Sequence, residues 1–152
     1  MNDPITILMN EHKAVKERFG VLLNATGSER ADVLDEIKGM LAMHNATEEN
    51  VIYPAVHSIA QRPMHARTLY HEQDDAEVAL WELAKLDPGD PEFVRKGTEL
   101  RDALLAHVER EEGSEFKALR EAMTAKQADQ LAGDFQSFRA TLKGERPAAV
   151  SR

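Results

Sequence analysis

Residues 104–112, Leu-Leu-Ala-His-Val-Glu-Arg-Glu-Glu, show most directly what kind of core this chain builds. The segment contains no Pro or Gly and is rich in helix-forming residues, which predicts an α-helix. The apolar face of this helix includes Leu100 and Ala118. Helical spacing places His107 and Glu111 on that same face. Burying a carboxylate without a partner costs on the order of several kcal/mol or more, and a bound metal ion would offset that cost.

Three other segments repeat this pattern of an apolar helix face with polar residues near its middle. One face contains His44 and Glu48, a second contains His12, and a third, less regular face contains His71. In chain order, the face with His12 comprises Ile5, Leu8, His12, Val15, Phe19 and Leu22. The face with His44 comprises Leu34, Ile37, Leu41, His44, Glu48, Ile52 and Ala55, and the face with His71 comprises Met64, Thr68, His71, Asp75 and Val78. We therefore expect four helices that share one central polar layer.

The composition favours a single helical domain. A chain of 152 residues can bury one sizeable core, and an aromatic content of only 5% favours helix over sheet. The net charge of −8 argues against nonspecific binding to nucleic acid or to anionic membranes. The sequence has no cysteine, which excludes disulfides, thiol catalysis and iron–sulfur clusters. Neither a signal peptide nor a membrane-spanning segment is predicted, and we expect a cytoplasmic protein.

Capping and helix-breaking residues predict four long helices and a short fifth one. The predicted helices cover residues 4–23, 31–59, 63–86, 91–123 and 124–143, with Pro54 bending or splitting the second. The short turns between them indicate an all-α fold, an antiparallel up-and-down four-helix bundle with a short C-terminal fifth helix. Residues 1–143 are predicted to form this bundle domain, and residues 144–152 a flexible C-terminal tail.

The two halves of the chain show a weak internal repeat. Residues 44–49, His-Asn-Ala-Thr-Glu-Glu, align with residues 107–112, His-Val-Glu-Arg-Glu-Glu, at a spacing of 63 residues. His12 and His71, which lie 59 residues apart, are the candidates for the preceding helix of each half. Each half thus predicts a helix with one His followed by a helix with His-x-x-x-Glu, and together they predict a pseudo-symmetric site.

Imidazole and carboxylate groups four residues apart on a helix can bind one metal ion, because they lie on the same face. The predicted ligands are His12, His44, Glu48, His71, His107 and Glu111. Four imidazoles and two carboxylates are too many for one tetrahedral zinc ion and suit two adjacent iron or manganese ions. Asp75 and Tyr53 are further candidate ligands. The alternative is a buried hydrogen-bonded network without metal.

These residues resemble the hemerythrin-like HHE cation-binding domain family. The matching features are the His and His-x-x-x-Glu pattern together with Asn10-Glu11-His12, Glu48-Glu49-x-x-x-Tyr53-Pro54 and His71-Glu72. The resemblance covers about residues 4–122 and implies an antiparallel four-helix bundle with a non-haem di-iron centre. It further implies two iron ions with an oxo or hydroxo bridge and carboxylate bridges, which in this chain would be Glu48 and Glu111.

Two features separate the chain from oxygen-carrying hemerythrins. Their third helix carries His-x-x-x-His where this chain has His71-x-x-x-Asp75, and their last helix supplies an Asp five residues after its His where this chain has Glu111, four after His107. An extra carboxylate stabilises ferric iron, which argues against simple reversible oxygen transport. The ferritin-like class uses Glu-x-x-His, and no histidine of this sequence has Glu three residues before it.

The bacterial proteins that the chain resembles are associated with oxygen or nitric-oxide sensing, peroxide decomposition, iron storage and repair of iron centres. The first hypothesis is therefore a di-iron protein that reacts with O2, peroxide or nitric oxide in stress-related redox chemistry, such as catalase- or peroxidase-like peroxide decomposition. The alternative is a non-enzymatic module that binds or senses oxygen or nitric oxide, or holds iron. No catalytic residue separate from the metal ligands is indicated. The expected partners are a small diatomic or peroxide ligand and an electron donor or signalling protein.

Overall fold

The computed structural model describes residues 3–145, and the regular structure of this part of the chain is entirely helical. The helices are α1 (Pro4–Asn24), α2 (Ser28–Thr47), α3 (Tyr53–Ser58), α4 (Pro63–Ala84), α5 (Pro91–Arg110), α6 (Phe116–Ala122) and α7 (Ala125–Leu142). A π-helical turn, Glu48–Ile52, joins α2 to α3, and a second one, Glu111–Glu115, joins α5 to α6. The predicted all-α bundle of four long helical segments and a short C-terminal helix is confirmed.

Helices α1, α5 and α7 begin at the capping residues that the sequence indicates. The Asp3 side chain accepts hydrogen bonds from two backbone N–H groups at the start of α1, and Pro4 takes the first helical position. Asp90 caps α5 in the same way. Thr124 and Gln127 form the predicted capping box at the start of α7. The starts of these three helices are therefore defined locally, whereas α2 and α4 begin without a side-chain cap.

The core consists of two apolar clusters with a polar layer between them. The first cluster is centred on Ile5, Leu8, Ile52, Tyr53, Leu69, Phe116 and Phe135. The second contains Phe19, Leu22, Ile37, Leu83, Phe93 and Leu100. Along α1, Leu8 belongs to the first cluster, Val15 to the second, and His12 lies between them. The polar layer predicted from the sequence thus lies where the bundle is otherwise most apolar.

The two π-helical turns begin at the Glu of each His-x-x-x-Glu sequence. The backbone N–H of Tyr53 donates to the carbonyl of Glu48, and that of Phe116 donates to the carbonyl of Glu111, five residues back instead of four. The split expected near Pro54 is therefore present as a π-helical turn just before the proline. The fourth long helix, predicted to be continuous over residues 91–123, is interrupted in the same way. Such single-turn insertions are frequent at functional sites.

The C-terminal helix α7 packs along the bundle against α1, α2 and the first π-helical turn. Its buried face includes Leu131, Ala132 and Phe135. Among residues 3–145, no helix combines the length and apolar character needed to cross a membrane. The division into residues 1–143 and 144–152 stays a prediction, and the predicted tail lies outside the described residues from residue 146 onward.

Candidate metal centre

Three histidines and two glutamates meet in the middle of the bundle. They are His12 of α1, His44 of α2, His107 of α5, and Glu48 and Glu111, which open the two π-helical turns. Their exposed fractions are 8%, 4% and 6% for the histidines and 0% for both glutamates. Five ionisable side chains in an otherwise apolar core need strong mutual interactions or a bound ion to be tolerated.

The ligand atoms of these residues form two groups of three that share one carboxylate. His12, His44 and Glu48 make the first group, and Glu48, His107 and Glu111 the second, with all ligand atoms of a group within 4.8 Å of one another. The Nε2 atoms of His12 and His44 are 3.1 Å apart, and His44 Nε2 is 3.0 Å from Glu48 Oε1. We call these two ligand groups the first and the second position. Each could hold one cation, and Glu48 is common to both.

Each of the three histidines also contacts a carboxylate from another helix through Nδ1. The distances are 3.2 Å from His12 to Glu112, 2.9 Å from His44 to Glu11 and 3.3 Å from His107 to Glu72. A hydrogen bond donated by Nδ1 leaves Nε2 free to act as an electron-pair donor toward the centre. This is the usual support of a metal-binding histidine, and the sequence alone did not identify these partners.

Helix α7 reaches the centre through one arginine. Arg139 donates to both oxygens of Glu11 at 2.8 Å, and its Nε donates to the Thr47 hydroxyl at 2.6 Å. Glu11 in turn holds the Nδ1 of His44. Helix α7 therefore does more than cover the bundle, because Arg139 fixes the Glu11 carboxylate, which in turn orients the candidate ligand His44.

Tyr53 and Gln73 complete the polar layer. The Tyr53 hydroxyl is 3.1 Å from His107 Nε2 and 3.3 Å from Glu48 Oε1, and the residue is fully buried. Gln73, with an exposed fraction of 2%, donates through Nε2 to Glu48 Oε1 at 2.6 Å and to the Tyr53 hydroxyl at 2.7 Å. Tyr53 was a candidate ligand in the sequence and lies beside the second position, whereas Gln73 was not identified.

His71 and Asp75 do not lie at the centre, which corrects the interpretation of α4. Both residues are exposed, and neither belongs to the two ligand groups. The buried face of α4 instead comprises Ala66, Leu69, Gln73, Leu80 and Leu83. A helix turns about 100° per residue, so His71 and Gln73, two residues apart, point to nearly opposite sides of α4, about 160° from each other. The less regular apolar pattern had identified the solvent-facing side, where Met64 and Val78 are 68% and 57% exposed.

The internal repeat aligns differently once the structure is known. Glu11 and Glu72 both hold the Nδ1 of a histidine on the next long helix, and they lie 61 residues apart. At this spacing the residue that corresponds to His12 is Gln73, not His71. The pair Glu11-His12 and the pair Glu72-Gln73 were the signal in the sequence that could have located the α4 residue of the site.

The electrostatic balance of the cluster is that of a site built for a cation. Burial alone would lower the pKa of His44, but the carboxylates of Glu48 and Glu11 raise it to about 9. Burial would raise the pKa of Glu48, but His44 lowers it to about 2. Burial and the neighbouring Glu48 raise the pKa of Glu111 well above its ordinary value. Protons thus hold this cluster together without a metal, and a metal ion would displace them.

The residues fit a metal by a second observation. Within the described part of the chain, buried Glu48 Oε2, Glu111 Oε2 and Gln73 Oε1 have no hydrogen-bond partner. A buried acceptor without a partner costs about 1–3 kcal/mol, and more if it is charged. A cation bound beside them would give these oxygens a partner. Imidazole with carboxylate is a donor set that suits iron or manganese.

A small cavity of about 30 Å³ adjoins the cluster. His12, His44, Glu48, Gln73 and His107 line its inner end. Much of the remaining lining is apolar, and Lys16, Asn45 and Arg101 are its polar members. The apolar side chains come chiefly from α1, α2 and α5 and include Val15, Phe19, Leu41, Leu104, Leu105 and Val108. The volume accommodates a water molecule or a ligand of a few atoms.

The chain belongs to the hemerythrin family, because the sequence pattern of the hemerythrin HHE cation-binding domain matches residues 3–119. This confirms the family predicted from the sequence and, with it, a cation-binding helical domain. A DNA nickase from Nostoc sp. (strain PCC 7120) is 26% identical to this chain over 138 residues. The match covers 90% of this chain but only 39% of the Nostoc protein, so the chain spans about two fifths of that relative's length.

Proposed function

We propose that this chain is a non-haem di-iron protein that reacts with a small oxidant, and that peroxide decomposition is the reaction to test first. The observation that carries the proposal is the buried His and Glu cluster with its unpartnered oxygens, next to a cavity of about 30 Å³. A cavity of this size favours O2, nitric oxide or hydrogen peroxide and excludes larger organic substrates.

The metal ligands in this proposal are five side chains. His12 and His44 would hold the ion at the first position, His107 and Glu111 would hold the ion at the second, and Glu48, which belongs to both groups, would contribute to each. The iron ions would have an oxo or hydroxo bridge, as the family resemblance implies, and when bound they would polarise the small ligand and exchange electrons with it. The chain's own contribution is to orient the imidazoles through Glu11, Glu72 and Glu112, and to keep bulk water out with the apolar wall of the cavity.

Tyr53 is the neutral hydrogen-bond donor of the second position. Burial, followed by the charges of Glu48 and Glu111, raises the pKa of its hydroxyl well above the ordinary value. The hydroxyl therefore keeps its proton and donates hydrogen bonds to neighbouring carboxylate oxygens as long as no cation is near. A cation beside it would favour the phenolate, so that Tyr53 is also a candidate ligand of the loaded site.

The burial and charge of this chain argue against DNA nicking, the activity named for the Nostoc relative. The candidate ligands are only 0–8% exposed, which argues against attack on a phosphodiester at this centre. The net charge of −8 also repels nucleic acid. A cytoplasmic protein that works with a separate electron donor or signalling partner fits the proposal better.

The proposal is tested with protein loaded anaerobically with ferrous iron and freed of excess metal. We expect about two iron ions per chain, and release of O2 or consumption of hydrogen peroxide over many turnovers per iron. Stoichiometric and reversible ligand binding without turnover would instead support the alternative, a non-enzymatic module that binds or senses O2 or nitric oxide. Protein that retains no metal would contradict both and leave the metal-free network.

Replacing Arg139 by alanine is expected to weaken metal binding, although this residue does not touch the centre. The change frees Glu11, which then no longer holds the His44 ring in place. Loss of an outer partner of a metal-binding histidine lowers metal affinity about 10- to 100-fold. Competition with a chelator of known affinity measures the change. The matched control is Arg120→Ala, which removes an arginine that binds Asp3 at the start of α1, and which should leave metal affinity unaltered.

A further inference from the structure

The two halves of the centre differ in what the first helix of each half contributes. In the first half Glu11 is followed by His12, whose Nε2 faces the cluster. In the second half Glu72 is followed by Gln73, whose amide lies in the corresponding place. Both side chains are buried, with exposed fractions of 8% and 2%. The two halves therefore have the same arrangement of a glutamate followed by a buried side chain, but the second half has an amide where the first has an imidazole.

We infer that the two metal positions are unequal, and that the centre takes a nitrogen-preferring divalent ion at the first position and a harder, oxygen-preferring ion at the second. This inference rests on the proposed metal centre and adds a metal selectivity to it. The first position offers the two imidazoles of His12 and His44 with the Glu48 carboxylate. The second offers one imidazole, from His107, with the carboxylates of Glu48 and Glu111.

The neighbours of the second position are also oxygen-rich. The Tyr53 hydroxyl lies 3.1 Å from His107 Nε2. The Gln73 carbonyl oxygen is buried and, in the described structure, accepts no hydrogen bond. Carboxylate, carbonyl and phenol oxygens suit manganese or ferric iron, whereas imidazole suits zinc and ferrous iron. The two positions therefore differ in the ions they prefer, and zinc should bind the second more weakly than the first.

Gln73 sets this difference without needing to bind a metal itself. Its Nε2 donates to Glu48 Oε1 at 2.6 Å and to the Tyr53 hydroxyl at 2.7 Å. It thus directs one oxygen of the shared carboxylate and the phenol oxygen, and it excludes an imidazole from the second position. We regard Gln73 as a positioning residue that determines which ion the second position accepts.

The test uses zinc and manganese, which bind without redox turnover, on metal-free protein of residues 1–152. Titration of zinc against a chromophoric chelator should give one tight site and a second that is at least about tenfold weaker. Protein given one equivalent of zinc and then excess Mn(II) should hold about one of each by elemental analysis, because zinc fills the tighter first position and leaves the second to manganese. In Gln73→His the second zinc should bind about tenfold or more tightly than in the natural chain.

His71→Ala is the matched control on the same helix, because His71 is exposed and should not alter either site. Thermal unfolding of metal-free Gln73→His shows whether the variant is folded, and Gln73→Glu provides a second variant that keeps an oxygen donor and should retain the mixed loading. Two equally tight zinc sites in the natural chain, or unaltered zinc binding in folded Gln73→His, would overturn the inference while leaving the proposed function intact. Protein that binds no metal at all would overturn the proposed function instead.

Discussion

Replacing Glu48 by alanine is expected to abolish metal binding at both positions, whereas the loss of any one histidine should chiefly weaken one of them. Glu48 is the only ligand common to the two groups of the described cluster, and it is fully buried. Its loss removes the carboxylate that would compensate the charge of either ion. We expect metal content to fall from about two ions per chain to nearly none.

The same variant should lose the stabilisation that metal gives. A ligand present at 100 times its dissociation constant stabilises the folded state by about 2.7 kcal/mol, which for a domain of this size raises Tm by about 5–10 °C. Added iron should produce such a rise in the natural chain and none in Glu48→Ala. Glu48→Gln, which keeps the shape of the side chain, should likewise show no rise in Tm when iron is added.

Glu49→Ala is the control for this prediction, because Glu49 is the next residue of the same π-helical turn and is in neither ligand group. It should keep its metal and its response to iron. A Glu48→Ala protein that still binds two ions, or one ion as tightly as the natural chain, would show that the carboxylate is not shared.

Replacing Phe116 by alanine is expected to give a large loss of stability and a loss of metal affinity at the first position. Phe116 has an exposed fraction of 1% and lies in the first apolar cluster. Its ring is parallel to the imidazole of His12, at a tilt of 6° and a centroid distance of 6.0 Å. Truncation of a buried Phe typically costs about 3–5 kcal/mol, because it removes contacts and leaves a cavity.

Thermal unfolding of the metal-free protein should show a Tm lowered by roughly 6–20 °C. Zinc affinity at the first position should fall in parallel, since His12 then lacks the ring that limits its rotation. Trp81→Ala is the control: it removes a larger aromatic side chain that is 61% exposed and should cost less than about 1 kcal/mol. Equal losses in the two variants would contradict the assignment of Phe116 to the core.

The fold could be predicted from the sequence because its signals are local. Asp3, Asp90 and Thr124 cap helices where the sequence indicates. The apolar periodicity of the first, second and fourth long helices identified their buried faces, with His12, His44 and His107 among the buried residues. The π-helical turn after α5 was not predicted, although Gly113, which weakens a helix locally, lies within it.

The site was predictable in part. The four residues of the two His-x-x-x-Glu sequences come together as expected, since residues four apart share a helix face whatever the surroundings. The prediction for α4 selected His71 for its residue type, although the apolar pattern around it is irregular. Glutamine carries no chemical signal of its own, and Gln73 is recognised only by its burial and by its contacts with Glu48 and Tyr53. The supporting carboxylates and Arg139 come from distant segments, which periodicity cannot connect.

The amide of Gln73 has a genetic consequence. In the genetic code, codons for glutamine and histidine differ only in their third base, so one point mutation converts an amide at this place into an imidazole or the reverse. The neighbouring contact between Glu72 and His107 does not involve the side chain at position 73. We therefore expect the number of imidazoles at such a centre to change readily between two, three and four during evolution. The metal preference of one chain would then be a poor guide to that of a near relative.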